Sequence, residues 1–298
     1  MILYLLYRIG YFIANVFPLK VTYGVACLIA DIYYMIAADD RAAVVKNLRV
    51  IMGDSVVDDR TLRRMSREVF VNFAKYLADF FRFSKIDDRY IKKFVKLEGF
   101  DNIDQAHASG GGVILLSAHL GNWELGGFVL SLTKYPLNAV VLTHKNKRIN
   151  DFFTKQRSLG KMGLVTLGMS LRGCYTTLKG NGMLALMGDR DFSKNGIRVD
   201  FFGRPAVMPK GPAVLSVRLG SPIVPCFLVR EKGDRFRLIA EKPIYPAKGM
   251  DEDQLVKKIL SDYLVVIESY VRRYPTQWYI FREAWSGDKK SLQSDTVI

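Results

Sequence analysis

Residues 113–132, VILLSAHLGNWELGGFVLSL, set a short apolar run, VILLSA, before a turn containing glycine and asparagine and a second apolar stretch through Phe128, Val129 and Leu132. The first run has the length and composition of a strand buried on both faces, and the second reads as a helix. The same texture recurs outward from this stretch. NAVVLT (138–143), GMLALMG (182–188) and PIVPCFLV (222–229) are further short apolar runs, each separated from the next by helical sequence. Strands alternating with helices predict βαβ units, hence an α/β fold with a mostly parallel sheet and helices on both faces. Upstream, Leu62, Met65, Val69, Phe73, Leu77 and Phe80 recur at three- and four-residue steps with Arg and Lys between them, which predicts an amphipathic helix across 58–83. There is no internal repeat and no low-complexity tract.

The N-terminus has a different character. Residues 1–17 carry one charge, Arg8, and residues 21–38 carry one, Asp31, with Pro18 and Lys20 between the two runs. A spanning helix needs about 20 apolar residues, so each run is borderline alone, and the pair reads as an interfacial hairpin, a single tilted span or helices packed on the domain. Tyr4, Tyr7, Tyr11, Phe12, Phe17, Tyr23, Tyr33 and Tyr34 give this region the aromatic content of a membrane interface. No positive n-region precedes the apolar run and no small-residue cleavage site closes it, which argues against a cleaved signal peptide. The expected organisation is a membrane-anchoring helical segment at 1–40, an α/β domain with its own N-terminal helical part at 41–286, and a disordered tail at 287–298.

Lys and Arg number 44 against 29 Asp and Glu, a net charge of +15, which suits an anionic bilayer surface or an acidic carrier protein. The basic residues are dispersed and no recognition motif accompanies them, so nucleic-acid binding is not expected. The 3 cysteines, Cys27, Cys174 and Cys226, form no CxxC pair and suggest neither a disulfide framework nor a thiolate metal site. His107, His119 and His144 are the only histidines and none lies three or four residues from another, so no helix-borne zinc site is expected.

His119 ends the VILLSA strand. That edge is where ligands bind in open α/β sheets, and Gly121 and Asn122 suit a turn and helix start whose backbone N–H groups could face an anion. Glu124 would lie about 140° round a continuous helix from His119. With His119 placed before the helix, the carboxylate could instead reach back, fix the imidazole tautomer and leave the other ring nitrogen to act as a base. Spacing alone leaves open a plainer reading, in which His119 caps the helix and Glu124 complements its dipole.

SAHLGNWELGG (117–127) resembles the His-x4-Glu block of the bacterial lipid A late acyltransferases, the lauroyl and myristoyl transferases, and of the related phosphatidylinositol mannoside acyltransferases. MGDRDFSKNGIRVDFFGRPAVMPKGPAVLSVRLGSPIVPCF (187–227) is similar to the family's second block, and PTQWYIFREAW (275–285) to its C-terminal signature. Weaker similarity surrounds Asn47 and Asn72. The resemblance covers most of the chain, with the blocks in the same order. It implies an O-acyltransferase that moves a fatty acyl group from acyl carrier protein or acyl-CoA to a hydroxyl of a membrane glycolipid, such as a lipid A precursor in lipopolysaccharide biosynthesis. A phosphatidylinositol mannoside or another glycolipid is the alternative acceptor. The implied location is the cytoplasmic face of the inner membrane, with no cofactor beyond the acyl thioester.

Carried over to this chain, the resemblance makes His119 the general base and Glu124 its partner. Arg157 falls where the family has an arginine that organises the reacting groups; there it could stabilise an oxyanion or grip a phosphate, or be a solvated residue on an amphipathic helix. Asp189 belongs to the family's acidic turn, in which Arg190 replaces the more usual glutamine. Gly121, Asn122, Trp123 and Arg204 are the remaining candidate substrate-binding residues, with Trp123 and Phe128 candidates for an acyl channel. The expected reaction is direct attack of the hydroxyl on the thioester, its oxyanion held by N–H groups near Gly121 or by Arg157. Lys145, Lys147, Arg148, Lys155, Arg157 and Lys161 form a basic run that could dock an acidic carrier or anionic head groups. The phenylalanine-proline-glutamate-glycine motif of glycerophosphate acyltransferases is absent, which disfavours a simple glycerophosphate acceptor. Two other classes compete. Asp189 and Asp191 form an Asp-x-Asp that a metal-dependent glycosyltransferase would use, and a non-catalytic lipid-binding protein would need none of these groups.

Overall fold

The computed structural model describes residues 1–53, 57–166, 170–192, 195–247 and 249–285. The tail expected at 287–298 lies outside them. Four helices open the chain: α1 (Ile2–Val16), α2 (Leu19–Ile36), α3 (Ala38–Met52) and α4 (Asp59–Phe81). Alternating elements follow: α5 (Asp88–Phe94), β1 (Val95–Glu98), α6 (Phe100–His107), β2 (Val113–Ser117), α7 (Trp123–Ser131), β3 (Leu137–Val141), α8 (Lys147–Arg157), β4 (Gly163–Thr166), α9 (Ser170–Lys179) and β5 (Met183–Met187). A hairpin, β6 (Ile197–Phe201) and β7 (Arg204–Met208), then leads to α10 (Gly211–Leu219), β8 (Ile223–Arg230), β9 (Phe236–Ala240) and α11 (Glu252–Arg273).

Seven strands form one sheet in the order β1-β9-β8-β2-β5-β3-β4. Every neighbouring pair is parallel except β8 with β9, so the sequence-based α/β expectation holds. β2 lies near the middle, and alternation of side chains along it feeds two cores. Ile114 and Leu116 enter a core shared with Ile259, Tyr263 and Ile267 of α11, whereas Val113 and Leu115 enter one shared with Leu125, Phe128 and Phe153 of α7 and α8. β8 divides in the same way, with Phe227 and Val229 on one face and Cys226 and Leu228 on the other. A strand covered on both faces must be apolar at every position, which is why these runs read as continuous rather than alternating.

The amphipathic helix appears as α4, capped by Asp58, whose carboxylate accepts the Thr61 N–H at 2.9 Å. Its buried side carries Leu62, Val69, Phe70, Tyr76 and Phe80. Helix α1 approaches α4 so closely at Gly10 that a Cβ there would lie 2.9 Å from the Phe81 ring. Tyr7 and Ala14 of α1, and Tyr23 and Ala30 of α2, are buried against the rest of the chain. The other side of both helices is apolar yet exposed, through Leu5, Leu6, Ile9, Phe12 and Val16 on α1 and Leu28, Ile29, Ile32 and Met35 on α2. Each of these side chains leaves about half of its surface in water and so forgoes part of the roughly 1.5–3 kcal/mol that full burial contributes, and an exposed apolar surface of this kind marks an interaction site. Among the described residues, α2 is the one helix long and apolar enough to cross a membrane by length and composition.

After α11 the chain returns along the sheet's C-terminal edge and is pinned by two asparagines. Asn72 donates to the Thr276 carbonyl at 3.0 Å. Asn47, 3% exposed, donates to the carbonyls of Ile280 at 3.0 Å and Arg282 at 2.7 Å, and accepts the Ala284 N–H at 3.0 Å. Asn47→Ala would strand these groups, and the expected cost is about 1–3 kcal/mol of unfolding free energy. Urea denaturation checks this; a loss below a few tenths of a kcal/mol would contradict it.

Candidate active site

In the β2–β5 pair, Ser117 stands opposite Met187. His119 and Asp189 each lie two residues beyond that pair, so parallel register brings them side by side at the sheet's C-terminal edge. The His119 ring nitrogen Nδ1 lies 2.8 Å from Asp189 Oδ1, and the His119 backbone N–H donates to Asp189 Oδ2 at 2.8 Å. Trp278 Nε1 donates to the same Oδ2 at 3.0 Å. Burial pushes the Asp189 pKa up, but the His119 charge and the donated hydrogen bonds outweigh it and hold the carboxyl below the usual range. An ionised carboxylate only accepts, so the proton between the two groups sits on Nδ1, and in the neutral ring that tautomer leaves the lone pair on Nε2.

The turn that carries His119 is tied down on every side. Tyr279 N–H donates to the His119 carbonyl at 2.8 Å, Gly121 N–H to the Gln277 carbonyl at 2.8 Å, and Asn122 N–H to the Leu228 carbonyl at 2.7 Å. Gly121 has φ +67, and a Cβ there would lie 2.0 Å from the Leu228 oxygen, so both its backbone conformation and its surroundings exclude a side chain. Asn122 starts α7 by accepting the Leu125 N–H at 3.1 Å.

Two expectations change here. The Gly121 and Asn122 amides are consumed by carbonyls and do not face an anion. Glu124 does not supply the His119 partner either. The Asn122 cap places Glu124 in the first turn of α7, where its carboxylate meets Arg157 from the end of α8: Nε lies 3.1 Å from both carboxylate oxygens and Nη2 2.5 Å from Oε1. The pair is buried, with side-chain exposures of 12% for Arg157 and 7% for Glu124. Burial disfavours the guanidinium charge, but Glu124 outweighs it and raises the Arg157 pKa. Nη1 of Arg157 makes no hydrogen bond to a described residue. Arg157 is therefore separated from the rest of its basic run, since Lys145, Lys147, Arg148, Lys155 and Lys161 all face solvent.

Trp123 packs beside the imidazole. Its ring is edge-on to His119 at 5.1 Å and stacks on Tyr76 at 4.3 Å. Phe128 contributes to the wall of an open cleft with Ile86, Leu132 and Leu159, but Asp87, Asp88 and Arg89 line the same cleft, so it is not the apolar channel expected for an acyl chain. Arg204 is exposed at the start of β7, on the separate two-stranded sheet. Asp191 does not join Asp189 as a metal ligand pair: its Oδ2 accepts the Gly196 N–H at 2.8 Å, and both Asp189 oxygens already accept from His119 and Trp278. Among the described residues no group of three His, Cys, Asp or Glu could hold a metal ion. The other histidines serve elsewhere, His107 against the Asn181 carbonyl and His144 against Phe153.

The chain belongs to the bacterial lipid A biosynthesis acyltransferase family, whose model matches residues 1–286, and it is an acyltransferase. It is 26% identical over 226 residues to the phosphatidylinositol mannoside acyltransferase of Mycobacterium tuberculosis, covering 73% of this chain and 69% of that one. It is 27% identical over 196 residues to the lipid A biosynthesis palmitoleoyltransferase of Escherichia coli, covering 64% of this chain and 61% of that one. A crystal structure of the 1-acyl-sn-glycerophosphate acyltransferase PlsC from Thermotoga maritima aligns with 84% of this chain and 97% of its own, at 15% identity and a TM-score of 0.39.

The depressed Asp189 pKa carries a sign for stability. The group binds its proton less readily folded than unfolded, so its contribution is present above the unfolded value of about 3.9 and is lost as pH falls through the folded one. In chemical denaturation from pH 7 to pH 3, the stability gap between wild type and Asp189→Asn is expected to hold to about pH 5 and to close below about pH 4. A gap that instead closed between pH 7 and pH 5 would contradict the assignment.

Proposed function

We propose that this acyltransferase moves a fatty acyl group from a thioester donor to a hydroxyl of a membrane glycolipid, with His119 as general base. The observation that carries this reading is the 2.8 Å contact between His119 Nδ1 and the buried Asp189 carboxylate, which leaves Nε2 as the ring nitrogen for a substrate proton. Nε2 removes the acceptor hydroxyl proton as that oxygen attacks the thioester carbonyl. The negative charge that develops on the carbonyl oxygen is met by Nη1 of Arg157, while Glu124 holds the guanidinium in place through Nε and Nη2. Collapse of the tetrahedral intermediate breaks the carbon–sulfur bond, and the thiolate recovers the proton from the His119 imidazolium. Asp189 stabilises that cation and keeps the ring oriented throughout.

The donor is acyl carrier protein or acyl-CoA, and the solvent-facing lysines around α8 give an acidic carrier or phosphate-bearing donor a basic approach. For the acceptor, the relatives named for lipid A and for phosphatidylinositol mannosides both support a glycolipid, and a lipid A precursor is our first assignment. The exposed apolar faces of α1 and α2 favour membrane association, which we assign to the cytoplasmic face of the inner membrane.

The test is transfer from labelled acyl carrier protein and acyl-CoA into extracted membrane lipids, with product mass identifying the acceptor. His119→Ala is expected to lower the rate by about two to four orders of magnitude, and Arg157→Met by about two to three. Chelator should leave transfer unchanged. Full activity of folded His119→Ala, or loss of transfer with chelator, would contradict the mechanism.

A further inference from the structure

Behind the catalytic turn lies a buried polar cluster that the mechanism does not use. At its centre is Asp79 of α4, 3% exposed. Tyr23 of α2 donates its hydroxyl to Asp79 Oδ1 at 2.5 Å, and the Asn122 side-chain amide donates to Oδ2 at 2.8 Å. The Arg230 guanidinium, at the end of β8, pairs with the same Oδ2 through Nη2 and reaches the Tyr23 oxygen at 3.0 Å through Nη1. Such a cluster is a poor device for stability alone, because desolvating a carboxylate and a guanidinium offsets most of their attraction, and apolar residues of the same shape often serve as well.

Two of its members lead directly to the His119 turn. Asn122 has its amide nitrogen committed to Asp79, so its oxygen is turned toward the Leu125 N–H to cap α7. Arg230 has both backbone polar groups taken by the Gln277 side chain, the N–H at 2.9 Å and the carbonyl at 2.8 Å. The Gln277 carbonyl in turn holds the Gly121 N–H. Two of the three attachments of residues 121–122 thus trace back to the Asp79–Arg230 pair, the third being the Asn122 N–H on the Leu228 carbonyl, and Tyr23 ties that pair to α2.

We infer that Asp79 is a positioning residue for the catalytic turn, and that through Tyr23 the seating of α2 on α4 sets the geometry of the site. Helix α2 is then part of the catalytic scaffold as well as a candidate membrane contact. Its effect on rate rests on the acyl-transfer reading given above; its effect on the turn does not.

The test uses full-length protein in detergent micelles, with two readouts: amide hydrogen exchange across 119–126, and kcat and KM for acyl transfer. Tyr23→Phe removes one hydroxyl outside the site. It is expected to speed exchange of the Leu125 and Gly126 amides about tenfold and to lower kcat about tenfold with KM within about twofold. The pH–rate profile should keep its shape. Tyr33→Phe, which removes a hydroxyl from the same helix that donates to Asp40 at the surface, should change neither readout. Adding Tyr23→Phe to Asn122→Ser should slow kcat by no more than about twofold beyond Asn122→Ser alone, because the two act through one connection. Wild-type exchange in Tyr23→Phe would overturn the inference whatever the activity. So would multiplicative losses in the double variant, or an equal fall in Tyr33→Phe. If wild type transferred no acyl group from either donor, the acyl-transfer reading would fail, and the exchange comparison would still decide for or against the coupling.

Discussion

A single carboxylate, Asp189, holds the working edge of the sheet together. It is buried, and its two oxygens accept from the His119 ring, the His119 backbone and the Trp278 indole. These three donors come from the β2–α7 turn and from the segment after α11, which are far apart in the chain. Burying a charge is tolerable only when its hydrogen-bonding capacity is met, so the turn, the strand end and the C-terminal segment must be seated together for any of them to be stable. The Leu120–Trp278 bridge and the Tyr279-to-His119 bond reinforce the same junction.

Two carboxylates five residues and seventy residues from His119 thus take different parts. Asp189 faces the imidazole and fixes its tautomer, whereas Glu124 faces a guanidinium and fixes a cation. Among the described residues, Nε2 of His119 and Nη1 of Arg157 are left out of these two pairings. The proposed reaction assigns the imidazole the part of base and the guanidinium that of a fixed positive charge, the two groups that attack of a hydroxyl on a thioester calls for. Pre-orienting both groups lowers the reorganisation needed when charge develops, and Trp123, packed between Tyr76 and His119, limits how far the imidazole can turn.

Much of this was legible in the residues, and the exceptions share a cause. The strands β2, β3, β5 and β8 announce themselves as apolar runs, while β1 and β4, at four residues each, are too short to show a period. His119, Glu124, Arg157 and Asp189 were all recognisable as candidates, but which carboxylate meets which cation was not. Five residues of separation suggested a His119–Glu124 pair, yet the Asn122 cap begins the helix between them and turns Glu124 toward α8. The His119–Asp189 contact depends on β5 pairing with β2 across two intervening strands in the chain, and no local pattern encodes that register. Asp79 and Arg230 were missed although they carried a signal. An aspartate inside the apolar run YLADFF, and an arginine closing PIVPCFLVR, are charges where water is excluded, and such charges have partners.

The central claim is that Asp189, and not Glu124, binds the imidazole proton of His119. Imidazole 1H–15N NMR tests it directly, since the chain has only 3 histidines to assign and a proton held between Nδ1 and a buried carboxylate resonates far downfield and exchanges slowly. The expected result is a His119 Nδ1 proton signal that persists in Glu124→Gln and disappears or moves strongly upfield in Asp189→Asn. A signal lost in Glu124→Gln and retained in Asp189→Asn would contradict the account.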